Sequence, residues 1–228
     1  MSIIIIFKVH MHCIQSLHTQ KIVILSGAGV SAESGIPTIR SSDGLWQIFS
    51  WTKLASIDAW LPDPAALLDF FNYIRELIAP NEANLSLKRL EDRYEVFIIT
   101  QNIDNLHEKV GSQTVIYVHG EIDYAHSEHN ATVRLKLNGK PLFIGNLASG
   151  HHQLRPDVVL FGEDMHNLEL CQRYMPPADK VLVIGTSLSV YPINIPLKLS
   201  PKNSKKSSFI YILKNDITDF NLFKTEQA

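Results

Sequence analysis

Cysteine is scarce in this chain. Cys13 and Cys171 are the only two cysteines among 228 residues. Two cysteines supply neither a disulfide framework nor a four-cysteine metal site. This composition suits a reducing compartment, and we expect a cytoplasmic protein.

Long apolar runs and an excess of charge of either sign are also missing. The apolar stretch at residues 3–7 is far shorter than the roughly 20 residues that a membrane-spanning helix needs. A formal net charge of −2 argues against general nucleic-acid binding. We therefore expect neither a membrane nor a nucleic acid as a partner. The sequence does not indicate an oligomeric state.

The overall composition is that of a globular protein, with 45% hydrophobic and 19% charged residues. The length fits one large domain, or a main domain with a small insertion. We assign residues 1–20 to an N-terminal leader and residues 21–228 to the main domain.

A glycine turn follows the first apolar run of the main domain, residues 22–25. Gly27 and Gly29 lie between this short predicted strand and a helix start, a layout that presents backbone N–H groups to a phosphate. Pro37 stops any helix soon afterwards. Turns of this kind also occur in folds that bind no nucleotide, so this one does not settle the function alone.

Polar residues follow three further apolar runs. Asn102 comes shortly after the run at residues 96–99, His119 directly after residues 115–118, and Thr186 shortly after residues 180–184. In an open parallel sheet, ligands bind outside the carboxyl ends of the strands. Asn102 is equally suited to capping a helix. His119 is either a base near neutral pH or an ordinary loop histidine.

The order of these runs predicts the fold class. Short apolar runs alternate with helical stretches, which is typical of an α/β protein with a doubly wound parallel sheet, a Rossmann-like domain. The predicted strands are 22–25, 94–100, 115–118, 158–161, 180–184 and 209–213, and the predicted helices are 65–78, 84–92 and 168–173.

Residues 124–154 differ from this pattern, and we predict a small inserted module. Val133, Leu135 and Leu137 alternate as in a strand, and Asn138-Gly139 is typical of a hairpin turn. The module contains four histidines without paired spacing or an accompanying cysteine, so we expect no zinc and no other metal site. These histidines are His126, His129, His151 and His152.

Five motifs together resemble one family. GAGVSAESGIP, TQNIDNLH, VHGE, RPDVVLFGE and GTSLSVYP occur in the order and at the separations found in the sirtuin (Sir2) family of NAD-dependent protein deacylases. The resemblance covers about residues 21–215. It implies a Rossmann-like NAD domain, with a helical part at about 45–80 and a small module at about 124–154.

The resemblance also implies roles for individual residues. His119 would be the catalytic base, assisted by Asn102 and Asp104. NAD would be bound by Gly27, Ala28, Gly29, Ala32, Glu33, Arg40, Trp46, Gln101, Asn102, Ile103, Asp104, Gly185, Thr186, Ser187 and Asn215. The acyl-lysine substrate would be bound by Val159, Phe161, Gly162, Glu163, Val190, Phe71 and Ile74.

In the implied reaction, the acyl oxygen of the substrate lysine attacks the ribose C1′ of NAD as nicotinamide leaves. His119 then takes a proton from the ribose. The products are free lysine, nicotinamide and O-acyl-ADP-ribose. Acyl-lysine proteins or peptides would be the partners, and NAD would be consumed.

Three departures from the family pattern qualify this expectation. The module at 124–154 has no cysteine, which indicates a zinc-free branch. Ile39 replaces the phenylalanine that shields nicotinamide from water. Phe71 and Ile74 stand where the desuccinylating branch has Tyr and Arg, so we expect acetyl or apolar acyl groups rather than succinyl or malonyl groups. A mono-ADP-ribosyltransferase and a weakened NAD- or ADP-ribose-binding sensor remain alternative hypotheses.

Overall fold

Two β-sheets organise the molecule, one parallel and one antiparallel. The computed structural model describes residues 20–36, 55–76, 79–186 and 208–212. In chain order the strands are β1 (Lys21–Ser26), β2 (Glu95–Thr100), β3 (Val115–Tyr117), β4 (Gly120–Ser127), β5 (Asn130–Lys136), β6 (Leu154–Val158), β7 (Lys180–Ile184) and β8 (Ser208–Ile212).

The larger sheet has five strands in the order β3-β2-β1-β7-β8, and all its pairings are parallel. Its central strand, β1, buries Ile22, Val23, Ile24 and Leu25 almost completely. A strand that is apolar on both faces requires cover on both faces. This sheet confirms the predicted α/β fold class.

Two helices provide that cover. The helices in the described ranges are α1 (Ile57–Trp60), α2 (Pro64–Glu76), α3 (Glu82–Arg89), α4 (Leu106–Lys109) and α5 (Leu168–Tyr174). Leu87 of α3 packs in one cluster with Ile22 and Ile24, whereas Cys171 of α5 packs in another with Val23 and Leu25. The two helices therefore cover opposite faces of the sheet. None of the helices in the described ranges is both long and apolar enough to cross a membrane.

The smaller sheet is antiparallel, with the order β5-β4-β6. It packs against α2 through an apolar cluster that includes Ile122 and Leu154 from the sheet and Leu67 and Leu68 from the helix. The chain leaves the parallel sheet after β3 and returns to it at β7. The residues assigned to an inserted module, 124–154, overlap this sheet and include the long connection between β5 and β6.

Two predictions in this region are wrong. The strand predicted at 158–161 is instead β6, which ends at Val158 and belongs to the antiparallel sheet. The charged residues Arg155 and Asp157 argued against a buried strand at this position. Both side chains are nevertheless buried, because each is paired with a polar group inside the protein. The hairpin turn lies at residues 128–129, between β4 and β5. Asn138 and Gly139 do have the positive φ angles of a tight turn, 52° and 74°, but they follow β5.

Candidate active site

The loops after β1 and β7 pack directly against each other at the carboxyl ends of the parallel strands. The Gly27 N–H donates to the Ile184 oxygen at 3.1 Å, and the Gly29 N–H donates to the Gly185 oxygen at 2.8 Å. A Cβ on Gly29 would lie 2.7 Å from the Gly185 Cα. The sequence predicts that these glycines allow the close approach of a ligand. The structure gives them an additional role in loop-to-loop contact.

The segment after Gly27 forms two short 3-10 turns, Ala28–Val30 and Ala32–Ser34. The α-helix start predicted here is therefore wrong, and Gly35 ends the second turn with a φ of 83°. Ala28, Gly29 and Ala32 are partly buried, whereas Glu33 is exposed.

The cap of α3 anchors this segment from the side. Asn81 Nδ2 donates to the Val30 oxygen at 2.8 Å and to Ser34 Oγ at 2.9 Å. The Asn81 side-chain oxygen also accepts the backbone N–H groups of Ala83 and Asn84 at the start of α3. Sequence reasoning missed Asn81 as a site-supporting residue, because its cap position was the only local signal.

Ser31 joins two of the predicted catalytic residues. Its Oγ donates to Asp104 Oδ2 at 2.8 Å and accepts from Asn102 Nδ2 at 2.8 Å. All three side chains are buried. Burial raises the pKa of the Asp104 carboxyl, and the hydrogen bond from Ser31 partly offsets that rise. The three groups form one closed polar cluster at the end of β2.

Ser31 was not among the predicted site residues. It belongs to the same motif as Gly27 and Gly29, but a serine in a glycine turn is ambiguous from sequence. Its function depends on residues more than 70 positions away, Asn102 and Asp104.

Gln101 connects the β7 loop with His119. Thr186 Oγ1 donates to Gln101 Oε1 at 2.5 Å, and the backbone oxygen of Gln101 lies 3.0 Å from His119 Nδ1. Because a carbonyl oxygen only accepts hydrogen bonds, Nδ1 carries the hydrogen, and Nε2 is the ring nitrogen that can accept a proton. Burial lowers the pKa of His119; the Gln101 oxygen opposes that shift and His166 adds to it.

His107 lies beneath the site. Its Nε2 is 3.2 Å from Ser26 Oγ at the end of β1. Burial lowers the pKa of His107 to about 4, so the ring is neutral at physiological pH.

Ile103, the next residue after Asn102, is partly buried, and its oxygen accepts the Ile122 N–H at 2.8 Å. This bond joins the TQNIDNLH segment to the second sheet.

The predicted substrate segment starts beside His119, where the Val159 N–H donates to the His119 oxygen at 2.9 Å. Phe161 is 39% exposed. Its N–H donates to the Ala55 oxygen at 2.7 Å, and its oxygen accepts the Ile57 N–H at 3.2 Å. Both backbone groups of Phe161 are therefore engaged within the chain, and peptide pairing at this residue would have to displace or share these bonds.

Glu163 closes the turn at the end of this segment. Its Oε2 accepts the Leu160 N–H at 2.8 Å and Arg155 Nη2 at 2.7 Å. Arg155 Nε also donates to His126 Nε2 at 2.8 Å, and His126 Nδ1 lies 2.9 Å from Asp157 Oδ1. A buried polar chain thus runs from the second sheet to the predicted acyl-lysine segment. This chain could not be predicted from the sequence, in which its members are only isolated charged and polar residues.

Phe71 and Ile74 are buried in the apolar cluster between α2 and the second sheet, together with Leu160. Arg75 faces a different direction. Its Nε and Nη2 donate to the Ile122 oxygen at 3.1 and 2.9 Å, and its Nη1 donates to Asn72 Oδ1 at 2.7 Å. The Arg75 guanidinium is therefore used in linking α2 to the second sheet.

The remaining predicted site residues fall outside the described part of the chain. These are Arg40, Trp46, Ser187, Val190 and Asn215, together with Ile39 of the nicotinamide-shielding position. Among the described residues, the structure brings Gln101, His119 and Thr186 into one hydrogen-bonded group. Asn102 and Asp104 form a second group with Ser31.

The four-thiolate zinc site of typical sirtuins does not fit this chain. Neither of its two cysteines, Cys13 and Cys171, falls in the second sheet. Cys171 is buried on a face of the parallel sheet, and burial raises the pKa of its thiol to about 11.

Comparison with known proteins identifies relatives over most of the chain. The sequence profile described as the Sir2 family matches residues 27–192. An NAD-dependent protein deacylase of Helicobacter pylori is 43% identical over 176 residues, covering 76% of this chain and 76% of the relative. One of the same name from Aggregatibacter actinomycetemcomitans is 41% identical over 203 residues, covering 87% of this chain and 95% of the relative.

Solved structures give the same result. A mutant Sir2 homologue in complex with ADP-ribose superposes with a TM-score of 0.75 at 33% identity, covering 85% of this chain and 80% of that one. A Sir2 homologue in complex with NAD superposes with a TM-score of 0.74 at 32% identity, covering 85% and 78%. The profile, the relatives and the structures agree, and the chain belongs to the Sir2 family.

Proposed function

We propose that this protein is an NAD-dependent protein-lysine deacylase that prefers acetyl or apolar acyl groups. The observation that carries the proposal is the orientation of His119 at the end of β3. Its Nδ1 is engaged by the Gln101 oxygen at 3.0 Å, and this contact supports Nε2 as the nitrogen that accepts a proton. The names of the relatives, NAD-dependent protein deacylases, support the same reaction class.

The donors and acceptors at the strand ends fit NAD. The side chains of Gln101, Asn102 and Thr186 offer amide and hydroxyl groups suited to an amide, a ribose and a phosphate. The loops that carry Gly27 and Gly185 lie beside them at the usual ligand position of an open α/β sheet. When bound, NAD supplies an electrophilic ribose carbon with nicotinamide as the leaving group.

The role we assign to His119 is removal of a proton from a ribose hydroxyl. The lowered pKa keeps its imidazole neutral, and therefore able to accept a proton, at physiological pH. Asn102 and Asp104 act from the Ser31 cluster, where their fixed side chains orient the nicotinamide end of NAD. Val159 and the residues after it orient the acyl-lysine.

The apolar environment of α2 supports the preference for uncharged acyl groups. Phe71 and Ile74 are 2% and 3% exposed in an apolar cluster, and the Arg75 guanidinium is engaged by the Ile122 oxygen. A succinyl or malonyl carboxylate needs a guanidinium partner to offset the loss of its hydration.

One assay separates the proposal from its alternatives. Purified protein is incubated with NAD and matched acetyl-lysine or succinyl-lysine peptides, and nicotinamide, free lysine peptide and protein-bound ADP-ribose are measured. We expect nicotinamide and free lysine in equal amounts, with acetyl faster than succinyl. ADP-ribosylated protein without free lysine would instead indicate a transferase, and NAD binding without turnover would indicate a sensor.

The variant His119→Ala tests the assigned base. It should lose deacylation while retaining most of its affinity for NAD, as measured by calorimetry. Turnover at the wild-type rate in this variant would exclude His119 from the mechanism.

A further inference from the structure

Three side chains with metal-binding atoms meet at the far end of the second sheet. Glu128 and His129 form the turn between β4 and β5, and His152 lies just before β6. One ligand atom from each lies within 4.8 Å of the other two. The His129 and His152 ring centroids are 4.1 Å apart, with an interplanar angle of 72°. We call these three residues the hairpin-tip cluster.

The backbone around the hairpin-tip cluster is held in place by the sheet. Ser127 pairs with Leu154 in the ladder between β4 and β6. The Glu128 N–H then donates to the Gln153 oxygen at 3.0 Å. Gln153 returns its own N–H to Glu128 Oε1 at 3.3 Å, which holds the carboxylate beside the segment that carries His152.

A tight turn fixes the other side of the cluster. The Ala148 N–H donates to the His152 oxygen at 2.8 Å, and the His151 N–H donates to the Ala148 oxygen at 3.1 Å. His151 has a φ of 63°, in the left-handed region. The backbones of both cluster segments are therefore set by hydrogen bonds that do not depend on a ligand. The cluster needs only side-chain adjustment to close on an ion.

Two imidazoles and one carboxylate form a ligand set typical of zinc and related transition metals. Calcium and magnesium prefer oxygen ligands and would find only one carboxylate here. We propose that the hairpin-tip cluster binds one divalent transition-metal ion of the zinc type through Glu128, His129 and His152. Three protein ligands leave a further position for water.

Such an ion would link the β4–β5 turn to the segment that carries His152, just before β6. Its effect would be on the stability of the second sheet, because the hairpin-tip cluster includes none of the residues assigned to catalysis. The inference is independent of the proposed function. It revises the sequence-based expectation that this region binds no metal.

The test uses the full chain, freed of metal with a chelator and titrated with zinc chloride. Calorimetry should give one equivalent of zinc per chain, and zinc should raise the melting temperature. Magnesium chloride at the same concentration should do neither. Binding should weaken at pH 5.5 relative to pH 7.5, because protons compete with the ion for imidazole.

Substitutions then locate the site. His129→Ala and His152→Asn should each weaken zinc binding at least about tenfold, since even the loss of an outer partner costs about 10–100-fold. His151→Asn is the matched control. It removes a neighbouring histidine outside the hairpin-tip cluster, and asparagine tolerates a positive φ.

The metal-free melting temperatures of these variants establish whether each one folds. If zinc binds folded His129→Ala and His152→Asn as tightly as the wild type, the proposed site is wrong. Failure of the wild type to bind zinc would also overturn it. Neither result bears on deacylation, which is measured separately.

Discussion

His119 and Gln101 are joined by a hydrogen bond of 3.0 Å between the imidazole Nδ1 and a backbone oxygen. The partner is part of the main chain at the end of β2, so the orientation of the ring depends on the sheet itself. This relationship fixes the tautomer of His119, and burial lowers its pKa.

The pH dependence of activity should reflect that pKa. A base with a lowered pKa stays neutral to a lower pH. The midpoint of the acid limb of the kcat/KM profile should therefore lie below about pH 6.5, the ordinary pKa of histidine. The substitution His166→Gln should move the limb toward higher pH, because the electrostatic interaction with His166 contributes to lowering the His119 pKa. A wild-type limb above 6.5 would contradict this assignment.

Ser31→Ala should reduce kcat/KM by about 10–100-fold, because it removes two buried hydrogen bonds that hold Asn102 and Asp104. A hydrogen bond contributes about 0.5–1.5 kcal/mol between neutral groups and about 1.5–3 kcal/mol where one group is charged. Steady-state kinetics with varied NAD measures the loss. Ser34→Ala is the comparison, since Ser34 lies in the next turn and its side chain accepts a hydrogen bond from Asn81. Equal losses in both variants would count against a specific role for Ser31.

Arg155→Met should raise the KM for acyl-peptide about tenfold or more, with a smaller change in the KM for NAD. Arg155 holds Glu163, which in turn holds the Leu160 N–H in the predicted substrate segment. Arg134→Met is the matched control, because Arg134 contacts Asp157 and Glu121 in the same region.

Both arginine variants should lose stability. Only Arg155→Met should change peptide affinity strongly, and Arg155→Lys should restore part of it. If both variants raise the peptide KM alike, Arg155 acts on the fold of the second sheet rather than on the substrate segment.

Gly120→Ala should destabilise the protein far more than Gly139→Ala. Both glycines have positive φ angles, 84° and 74°. An alanine side chain at Gly120 would overlap the Asp157 oxygen, whereas nothing lies within 4 Å of the position at Gly139. We expect Gly139→Ala to lower the free energy of unfolding by about 1–2 kcal/mol, from backbone strain alone. Gly120→Ala should lower it by more than about 4 kcal/mol. Urea unfolding measures the loss in each variant, and similar losses would show that the overlap with the Asp157 oxygen is not the cause.

His107 should make the protein sensitive to mild acid. Its folded pKa of about 4 lies below the unfolded value of about 6.5, so the unfolded chain binds the extra proton first. Its contribution to stability is complete above about pH 6.5 and is lost as the pH falls toward 4. The loss should reach about 2–3 kcal/mol at pH 4.5.

Urea unfolding of the wild type and His107→Gln at pH 7 and pH 4.5 tests this contribution. The variant should show the weaker pH dependence. An equally steep loss in both proteins would assign the acid sensitivity to other groups.

The sequence predicted the parallel sheet well, because its strands are short apolar runs that end in glycine or polar residues. Ile22 to Leu25 and the run before Gln101 could be recognised without knowing their partners. The second sheet was harder to predict. β5 exposes most of its residues, and β6 contains Arg155, Pro156 and Asp157, which no local rule assigns to a buried strand.

The candidate site was predicted in part. His119 and Asn102 stand at strand ends, where position in the sequence indicates a ligand. Ser31 and Arg155 were missed because their importance comes from contacts with residues distant in the chain. Asn81 was missed for the same reason.

The chain enters the second sheet after His119 and comes back beside it at Val159, where one hydrogen bond of 2.9 Å joins the two. The two ends of the segment 120–158 therefore lie next to each other. A segment whose ends adjoin can be lengthened, shortened or exchanged in evolution while the rest of the backbone stays in place. A substitution in the hairpin-tip cluster should therefore leave the backbone around His119 in place, because the cluster lies at the end of the second sheet that is remote from this bond.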